Sequence, residues 1–510
     1  MKRPLILGLF VAAKFILQFF AIHPVYELHR DEYLHLNQAD HLAWGYLSVP
    51  PVTSWISLII KFLGNGEFWV KFFPALFGAL TLFVVWKIIE TLKGNLFALI
   101  LGATGILFSV LMRLNTLFQP NSLEYLLWTT TFYFLIKYIQ TEKNKLLYLT
   151  AITMAFGFLN KYNIVFLLLG LIPAIILTKR SIFKNKHLYL SILVALIIIS
   201  PNLWWQYDNS FPVFIHLEQL SRLQLANVSL SGFISEQILF FFGSIFVIIA
   251  AFIGFIKYEP FKKFRFVPLT FIFSMGLFIY NSAKGYYTIG LYPVLIAYGS
   301  VYLGHLLSAS KFKILKPALV CLSILITLPI LYYALPFYRP ETIINNSAKY
   351  EELGLLRWED GKNHHLPQDY ADMLGWKELA HEVDSAWSYI NDPDNTMVLC
   401  DNYGQAGAVN YYSKFDIDAV TFNADYLNWF DLTSPVKNVI LVKFKDDKDP
   451  NRERERNFFD EVFLSGKINN EMAREYNTSI WVLKGAKIDV NSILQEELDE
   501  EKEEIKYSMN

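Results

Sequence analysis

The chain reads LILGLFVAAKFILQFFAI from Leu5 to Ile22 and HRDEYLHLNQADHLAWGYLSVPP from His29 to Pro51. The first stretch has 18 residues, which is long enough to cross a bilayer as a helix. The second stretch holds three acids, three histidines and an arginine within a few helical turns. Together they predict a membrane-spanning helix that leads into a charged segment at the membrane boundary, where ionisable groups usually have a function.

The composition also indicates a membrane protein, because 54% of the 510 residues are hydrophobic and 16% are aromatic. The net charge of -1 conceals two opposite parts. Residues 1–336 carry 26 Lys+Arg against 12 Asp+Glu, which is +14, whereas residues 337–510 carry 19 against 34, which is -15. Each part holds one cysteine, Cys321 or Cys400, so we expect neither a disulfide framework nor a cysteine metal site.

Apolar runs predict about 11 transmembrane helices, the first of them retained rather than cleaved as a signal peptide. The runs are 5–22, 67–89, 95–112, 122–139, 146–159, 162–178, 187–201, 232–256, 266–281, 286–308 and 314–336. Short cytoplasmic loops carry the excess of positive charge, and with the N-terminus inside this assignment places 18 Lys and Arg at inner ends against 7 at outer ends. It therefore predicts that the loops 23–66, 113–121, 160–163, 202–231 and 281–287, and everything after 336, lie outside.

The pattern after Pro336 changes to mixed helix and strand, which predicts a membrane domain over 1–336, an extracytoplasmic α/β domain over 337–490 and an acidic tail over 491–510. Trp376–Ile390 has helical spacing, and three short runs have the composition of strands, namely Thr396–Leu399, Val436–Phe444 and Ser479–Leu483. Asp401–Tyr412 is typical of a strand end that turns into a helix. The tail is expected to be a solvated helix or disordered.

Asp31 and Glu32 are the first candidates for chemistry, and two compatible interpretations are open. Asp31 can be the N-cap of an amphipathic helix on the membrane surface, with Leu36, Ala39 and Ala43 on one face. The same carboxylate, held in position by its cap, can also act on a substrate. A metal site is not expected, because His35 and His41 would lie about 120° apart around the helix.

The order of several motifs along the first 300 residues or so resembles the GT-C glycosyltransferases. The closest branch is the one with protein O-mannosyltransferases and bacterial lipid A aminoarabinose transferases. The resemblance rests on the Asp31-Glu32 pair after the first span, the helix motif from Tyr33 to Tyr46 and the Pro50-Pro51 pair. Further segments agree with it: Arg113–Asn121 with Glu124, Gly157–Tyr162, Ser200–Tyr207, Lys284–Tyr287 and Tyr292-Pro293.

This resemblance implies transfer of a sugar from a polyprenyl-phosphate carrier to an acceptor hydroxyl, with inversion, at the outer face of the bacterial inner membrane. The acceptor would be a lipid, a glycan or a protein, and the α/β domain would help to receive it. Asp31 matches the family's proposed general base, and Glu32 would orient Asp31 or the acceptor. Neither a cofactor, a metal nor nucleic acid is expected.

The departing phosphate requires positive charge, which is scarce in the predicted outer loops. The donor-phosphate candidates are Lys284 and Arg222 with the hydroxyls of Tyr286 and Tyr287, followed by Arg113 and Lys161. Each cation can instead simply extend to the interface. The candidate substrate contacts are Asn121, Glu124 and Arg30, and Arg30 can equally be the salt-bridge partner of Asp31.

The sequence departs from the resembled family at two positions. Val49 stands where many relatives have a basic residue, and Asn121 lies in a turn where they often have an acid. Asp31 would therefore carry the proton transfer largely alone. Two other functions remain open: a lipid or solute transporter or flippase, although no repeated halves are visible, and a catalytically silent envelope-assembly protein.

Overall fold

The computed structural model describes residues 2–223, 228–308 and 313–507, and a helix forms within each of the apolar runs. The helical part contains α1 Lys2–Phe20, α2 Arg30–Asn37, α3 Val52–Phe62, α4 Glu67–Thr91, α5 Leu96–Leu107, α6 Leu111–Leu114, α7 Pro120–Thr141, α8 Lys145–Asn160, α9 Ile164–Thr178, α10 Lys186–Asp208, α11 Pro212–Leu223, α12 Leu230–Phe240, α13 Ile245–Lys257, α14 Phe266–Tyr280, α15 Tyr292–Leu306 and α16 Leu315–Ala334.

Five helical segments within the described ranges are long and apolar enough to cross a membrane, or six if a bent pair is one span. They are Lys2–Phe20, Glu67–Thr91, Lys186–Asp208, Gly285–Leu306 and Leu315–Ala334, and the bent pair is Leu230–Phe240 with Phe242–Lys257. Other apolar helices are shorter, including α3 inside the predicted loop 23–66. The protein is thus a multi-pass membrane protein, and the number of 11 spans stays a prediction.

The centre of the helical part is formed by α4 and α15, which pack against each other. Helix α4 also contacts α1, α5 and α7, while α15 contacts α5 and α13. Small residues allow this close packing: a side chain at Gly299 of α15 would collide with the backbone carbonyl of Val247 in α13. The result is one continuous apolar core beneath the loops that carry the candidate site.

The C-terminal part is a five-stranded sheet with helices on both faces. The strands are β1 Thr396–Cys400, β2 Ala419–Thr421, β3 Asn438–Lys443, β4 Phe459–Lys467 and β5 Ser479–Ala486, in the order β2-β1-β3-β5-β4. β1 pairs in parallel with β2 and β3, and β5 pairs antiparallel with β3 and β4. The helices are α17 Pro340–Asn345, α18 Ser347–Glu352, α19 Gln368–Ala371, α20 Trp376–Trp387, α21 Tyr403–Tyr412 and α22 Val490–Tyr507.

The three predicted strands and the predicted helix at Trp376 are confirmed, whereas β2 and β4 were not predicted. β2 has only three residues, and four of the nine residues of β4 are charged or glycine, so neither has a recognisable apolar run. In the described residues the acidic tail forms helix α22, whose Leu494 packs in the apolar cluster of the sheet and whose Leu498 is also buried. It therefore packs as part of the C-terminal domain.

The two parts of the chain share a core at helix α2. Leu34 and Leu36 of α2 lie in one apolar cluster with Ala406 and Val409 of α21. The predicted amphipathic helix on the membrane surface is therefore wrong: α2 is covered by the C-terminal domain and ends at Asn37, before Ala39 and Ala43. Burial between two domains replaces the membrane surface as the environment of its apolar residues.

Candidate active site

Helix α2 begins with a capping box in which His29 is the N-cap. The Nδ1 atom of His29 accepts a hydrogen bond from the backbone N–H of Asp31 at 3.2 Å, and Glu32 accepts one from the backbone N–H of His29 at 2.6 Å. Asp31 is therefore not the N-cap, contrary to the prediction. Because its neighbours cap the helix, the Asp31 carboxylate is free to point elsewhere.

Glu32 fixes the position of the helix from beneath. It is 1% exposed, and its second carboxylate oxygen accepts a hydrogen bond from the backbone N–H of Phe118 at 2.6 Å. Burial raises the pKa of Glu32, although both backbone hydrogen bonds oppose this effect. Glu32 thus ties α2 to the loop before α7. It is not among the described residues that line the cavity next to α2.

A cavity of about 800 Å³ lies between the helical part and the C-terminal domain. Its lining includes Asp31, Gln119, Lys161, Lys284, Glu359 and Tyr403. These residues come from four of the loops that the charge pattern places on one side and from two segments of the C-terminal domain. The loops and the domain therefore meet at one end of the helical part.

Asp31 is held in this cavity by four groups, with 36% of its side chain exposed. Its Oδ1 atom accepts a hydrogen bond from the Tyr403 hydroxyl at 2.7 Å, and Oδ2 accepts one from the Gln119 amide at 3.0 Å. Arg30 lies 3.7 Å from Oδ1, so the ion pair with Asp31, one of the two alternatives for Arg30, is present, and Arg30 also lines the cavity. Burial alone would raise the pKa of Asp31, but electrostatic interactions with His29 and Arg30 and the Tyr403 hydrogen bond outweigh burial and lower it to about 2.

A second polar cluster surrounds Lys161. Its ammonium group donates to Asn121 at 2.7 Å and to Glu124 at 3.2 Å, and it lies 4.7 Å from the ring centre of Tyr287. The other oxygen of Glu124 accepts from the amide of Asn163 at 2.6 Å. Glu124 is 2% exposed and its carboxylate is occupied by these partners, whereas Lys161, Asn121 and Tyr287 line the cavity.

The remaining predicted cations are placed unequally. Lys284 lines the cavity beside Tyr286 and Tyr287, 3.7 Å from the carboxylate of Glu359. Arg113 is buried outside the described lining, and it contacts Asp369 at 3.2 Å. The side chain of Arg222 lies outside the described part of the chain.

Two residues of the site were not predicted, Gln119 and Tyr403. Tyr403 lies in the predicted turn from strand to helix, directly after the parallel strand β1. The carboxyl end of a parallel strand is a common place for functional residues, so this position carried a usable signal. Val49 also lines the cavity, and as predicted it supplies no charge there. In the described ranges, no group of three His, Cys, Asp or Glu side chains is placed to hold a metal.

The structure is a multi-pass helical body whose first charged loop faces a sheet domain across one cavity. The chain is similar over its length to two crystal structures of ArnT from Cupriavidus metallidurans. For the apo structure the TM-score is 0.62 at 13% identity, covering 95% of this chain and 98% of that one. For the structure bound to undecaprenyl phosphate the TM-score is 0.60 at 13% identity, covering 94% and 98%.

Residues 48–205 match the family described as dolichyl-phosphate-mannose-protein mannosyltransferase. The chain is also 24% identical over 178 residues to lipid A galacturonosyltransferase RgtD from Rhizobium johnstonii, which is 34% of this chain and 37% of that relative. This match spans little more than a third of the relative's length. Together these comparisons confirm the resemblance to the GT-C glycosyltransferases.

Proposed function

We propose that this protein is an inverting glycosyltransferase that moves a sugar from a polyprenyl-phosphate donor to an acceptor hydroxyl. The observation that carries the proposal is the joint presence of an oriented carboxylate, Asp31, and two lysines, Lys161 and Lys284, around one cavity in a GT-C fold. Asp31 can accept the proton that leaves the acceptor hydroxyl, and the two lysines can bind the phosphate that leaves the sugar.

In the proposed reaction the acceptor oxygen attacks the anomeric carbon as the bond from that carbon to the phosphate oxygen breaks. The hydroxyl proton passes to Asp31, and polyprenyl phosphate leaves with the bonding electron pair. A pKa of about 2 makes Asp31 a weak base, but it also keeps the carboxylate ionised at neutral pH. Proton transfer then follows late, because the attacking oxygen becomes strongly acidic once its new bond to carbon forms.

The leaving phosphate needs hydrogen-bond donors and positive charge, since its lost bond leaves an additional negative charge on oxygen. Lys161 and Lys284 line the same cavity, and Tyr286 and Tyr287 line it as well. Apolar residues of the lining, including Leu114, Ile215 and Phe240, suit the first units of a polyprenyl chain. No second carboxylic acid is required, because a phosphate departs without being protonated.

We further infer that the cavity opens to the outer face of a bacterial inner membrane and that the C-terminal domain lies on that side. The excess of lysine and arginine at the opposite ends of the helices supports this orientation. A reporter enzyme that is active only outside the cytoplasm, fused after residue 510, should be active. Activity of a cytoplasmic reporter at the same position would contradict the orientation.

The experiment that tests the proposed function compares strains that lack the protein, produce it, or produce Asp31→Asn. Mass spectrometry of envelope lipids, glycans and proteins should show one sugar modification that is absent from the deletion strain. Asp31→Asn should lower the rate of transfer roughly 100- to 10,000-fold, because the variant cannot accept the proton. This loss should also appear with purified protein and the donor and acceptor that the deletion strain identifies.

The matched control is Asp40→Asn. Asp40 belongs to the same charged stretch but pairs with Lys61 in an exposed ion pair outside the cavity lining. This variant should retain transfer. If the deletion strain lacks no modification and instead accumulates an untransported lipid or solute, glycosyl transfer is contradicted and a transporter is favoured.

A further inference from the structure

The C-terminal domain contributes a side chain directly to the candidate base. Tyr403 opens helix α21, and its hydroxyl lies 2.7 Å from Asp31 Oδ1 although the two residues are 372 positions apart. The same hydroxyl accepts a hydrogen bond from Arg30 Nη2 at 2.6 Å. The carbon at the centre of the Arg30 guanidinium lies 4.8 Å from the centre of the tyrosine ring.

The chemistry of Arg30 fixes the direction of these hydrogen bonds. A guanidinium group has only donors, so the oxygen of Tyr403 must accept from it. The single hydroxyl proton of Tyr403 is therefore committed to Asp31. Burial and the neighbouring Asp31 carboxylate both raise the pKa of Tyr403, so the tyrosine keeps this proton at neutral pH.

Tyr403 is held rigidly because the start of α21 is capped. Asn402 is the N-cap, and its side chain accepts from the backbone N–H groups of Gly404 and Gln405. Gln405 in turn donates to the buried carboxylate of Glu475 at 2.6 Å. A side chain at Gly404 would collide with Arg30, so glycine is required where α21 approaches α2.

Tyr403 and Gln119 each occupy one position on a different oxygen of Asp31. A carboxylate has about four acceptor positions, so others remain for an acceptor hydroxyl. Among the described residues, the charged or titratable groups that act most strongly on Asp31 are His29, Arg30 and His35 from its own segment and Tyr403 from the C-terminal domain, and Asp372 of that domain lies 3.8 Å from His29. Tyr403 is thus the titratable group in this set that only domain docking supplies.

We propose that Tyr403 is a positioning residue for Asp31, so that the catalytic site is complete only when the C-terminal domain is docked on helix α2. This inference rests on the proposed function for its catalytic meaning, but the coupling between the two side chains can be tested without it. The domain then sets the geometry of proton transfer, in addition to any role in receiving the acceptor.

The first test measures protonation of Asp31 in the full-length protein in detergent. Dicyclohexylcarbodiimide attaches to protonated carboxyl groups, and peptide mass spectrometry locates the adduct. At pH 5 to 6, Asp31 should be labelled about tenfold faster or more in Tyr403→Phe than in the unmodified protein. Loss of a hydrogen bond to the charged carboxylate raises the pKa of Asp31 by about one or more, so a larger fraction of it is protonated. Labelling of Asp369, which lines the same cavity, should stay unchanged and reports any change in access.

The control variant is Tyr411→Phe. Tyr411 lies on the same helix, and its hydroxyl donates to the backbone carbonyl of Asn65 at 2.6 Å, away from Asp31. The Tyr411→Phe variant removes one hydrogen bond between the domains and leaves the contacts of Asp31 unchanged. Similar melting temperatures for both variants would show that the domain remains docked, and only Tyr403→Phe should change Asp31 labelling.

The second test is kinetic, with the donor and acceptor identified for the proposed function. Tyr403→Phe should lower kcat roughly tenfold while KM for the donor stays unchanged, and Tyr411→Phe should change neither. Unchanged Asp31 labelling and unchanged kcat in a transferase that is otherwise active would overturn the inference alone. Faster Asp31 labelling in a protein that transfers no sugar would support the coupling and overturn the proposed function.

Discussion

Two polar clusters line the same cavity, and they are assembled in different ways. The carboxylate cluster joins Asp31 to Tyr403 across 372 residues and two domains. The lysine cluster, in contrast, joins residues between 121 and 163 to Tyr287 and lies entirely in the helical part. The proposed phosphate ligands Lys161 and Lys284 therefore lie in the helical part, whereas the proposed base Asp31 is also held by a side chain of the C-terminal domain.

The acidic residues of the two clusters also differ in their exposure. Asp31 keeps 36% of its side chain exposed to the cavity, whereas Glu124 is 2% exposed and bonded to Lys161 and Asn163. An exposed, oriented carboxylate is available to a substrate. A buried one balances the charge of its lysine and fixes its direction.

The largest effect that separates these clusters is expected from Lys161→Gln. The variant should weaken binding of undecaprenyl phosphate roughly 10- to 100-fold, because a charge-assisted hydrogen bond is lost. It should also lower the melting temperature, since Glu124 is left buried without its cation. Binding is measured by titration of the lipid into purified protein in nanodiscs.

The control for this prediction is the double variant Lys161→Gln with Glu124→Gln. Removing the unpaired charge should restore most of the melting temperature but not the lipid affinity. If the double variant binds undecaprenyl phosphate as tightly as the unmodified protein, Lys161 does not hold the phosphate.

A smaller effect is expected at Lys284, which lies 3.7 Å from the exposed carboxylate of Glu359. Lys284→Ala should weaken undecaprenyl phosphate binding up to about fivefold, because exposed ionic contacts contribute little. Glu359→Gln should strengthen it slightly, since a competing carboxylate is removed. Equal affinity in both variants and the unmodified protein would leave Lys161 as the proposed lysine ligand of the phosphate.

The smallest effect concerns domain docking and depends on pH. Asp425 accepts hydrogen bonds from the amide of Gln38 at 2.8 Å and the backbone N–H of Leu47 at 2.7 Å, which ties the charged stretch to the C-terminal domain. Burial raises the pKa of Asp425 to about 6, although both hydrogen bonds oppose this effect. The folded state thus binds a proton more tightly than the unfolded state, in which the pKa is about 3.9.

Between these two pKa values the folded protein holds more protons, so the contribution of Asp425 to stability falls as the pH rises from about 4 to 6. Asp425→Asn should remove this dependence, and its melting temperature relative to the unmodified protein should rise by a few degrees across that interval. Thermal unfolding at several pH values measures the difference. A constant difference would show that Asp425 does not titrate there.

The sequence was sufficient for the features that depend on local pattern. Apolar runs predicted the helices, because hydrophobic length is set by each segment alone. The scarcity of cations on one side of the spans pointed to Lys284, Arg222, Arg113 and Lys161, and of these Lys161 and Lys284 are in the described lining of the cavity. The Asp31-Glu32 pair was also identified from local pattern, because two adjacent acids that follow an apolar run can be recognised in the sequence alone.

The roles within that pair required the structure. Asp31 and Glu32 are adjacent and chemically alike, yet one faces the cavity and the other is buried beneath backbone N–H groups. Their division depends on which way helix α2 is capped and covered. The N-cap was assigned to Asp31 because aspartate is a common cap, while histidine at position 29 takes that role here.

The sequence by itself thus determined the helical body, the charged loops at one end and the acid and lysines that could act there. Only the tertiary structure decided that α2 lies beneath the C-terminal domain, that Tyr403 donates a hydrogen bond to Asp31 and that Glu124 is paired with Lys161. The physical reason is the distance along the sequence between the residues that interact. Hydrophobic length and charge are properties of neighbouring residues, whereas a hydrogen bond between positions 31 and 403 exists only after two domains have packed.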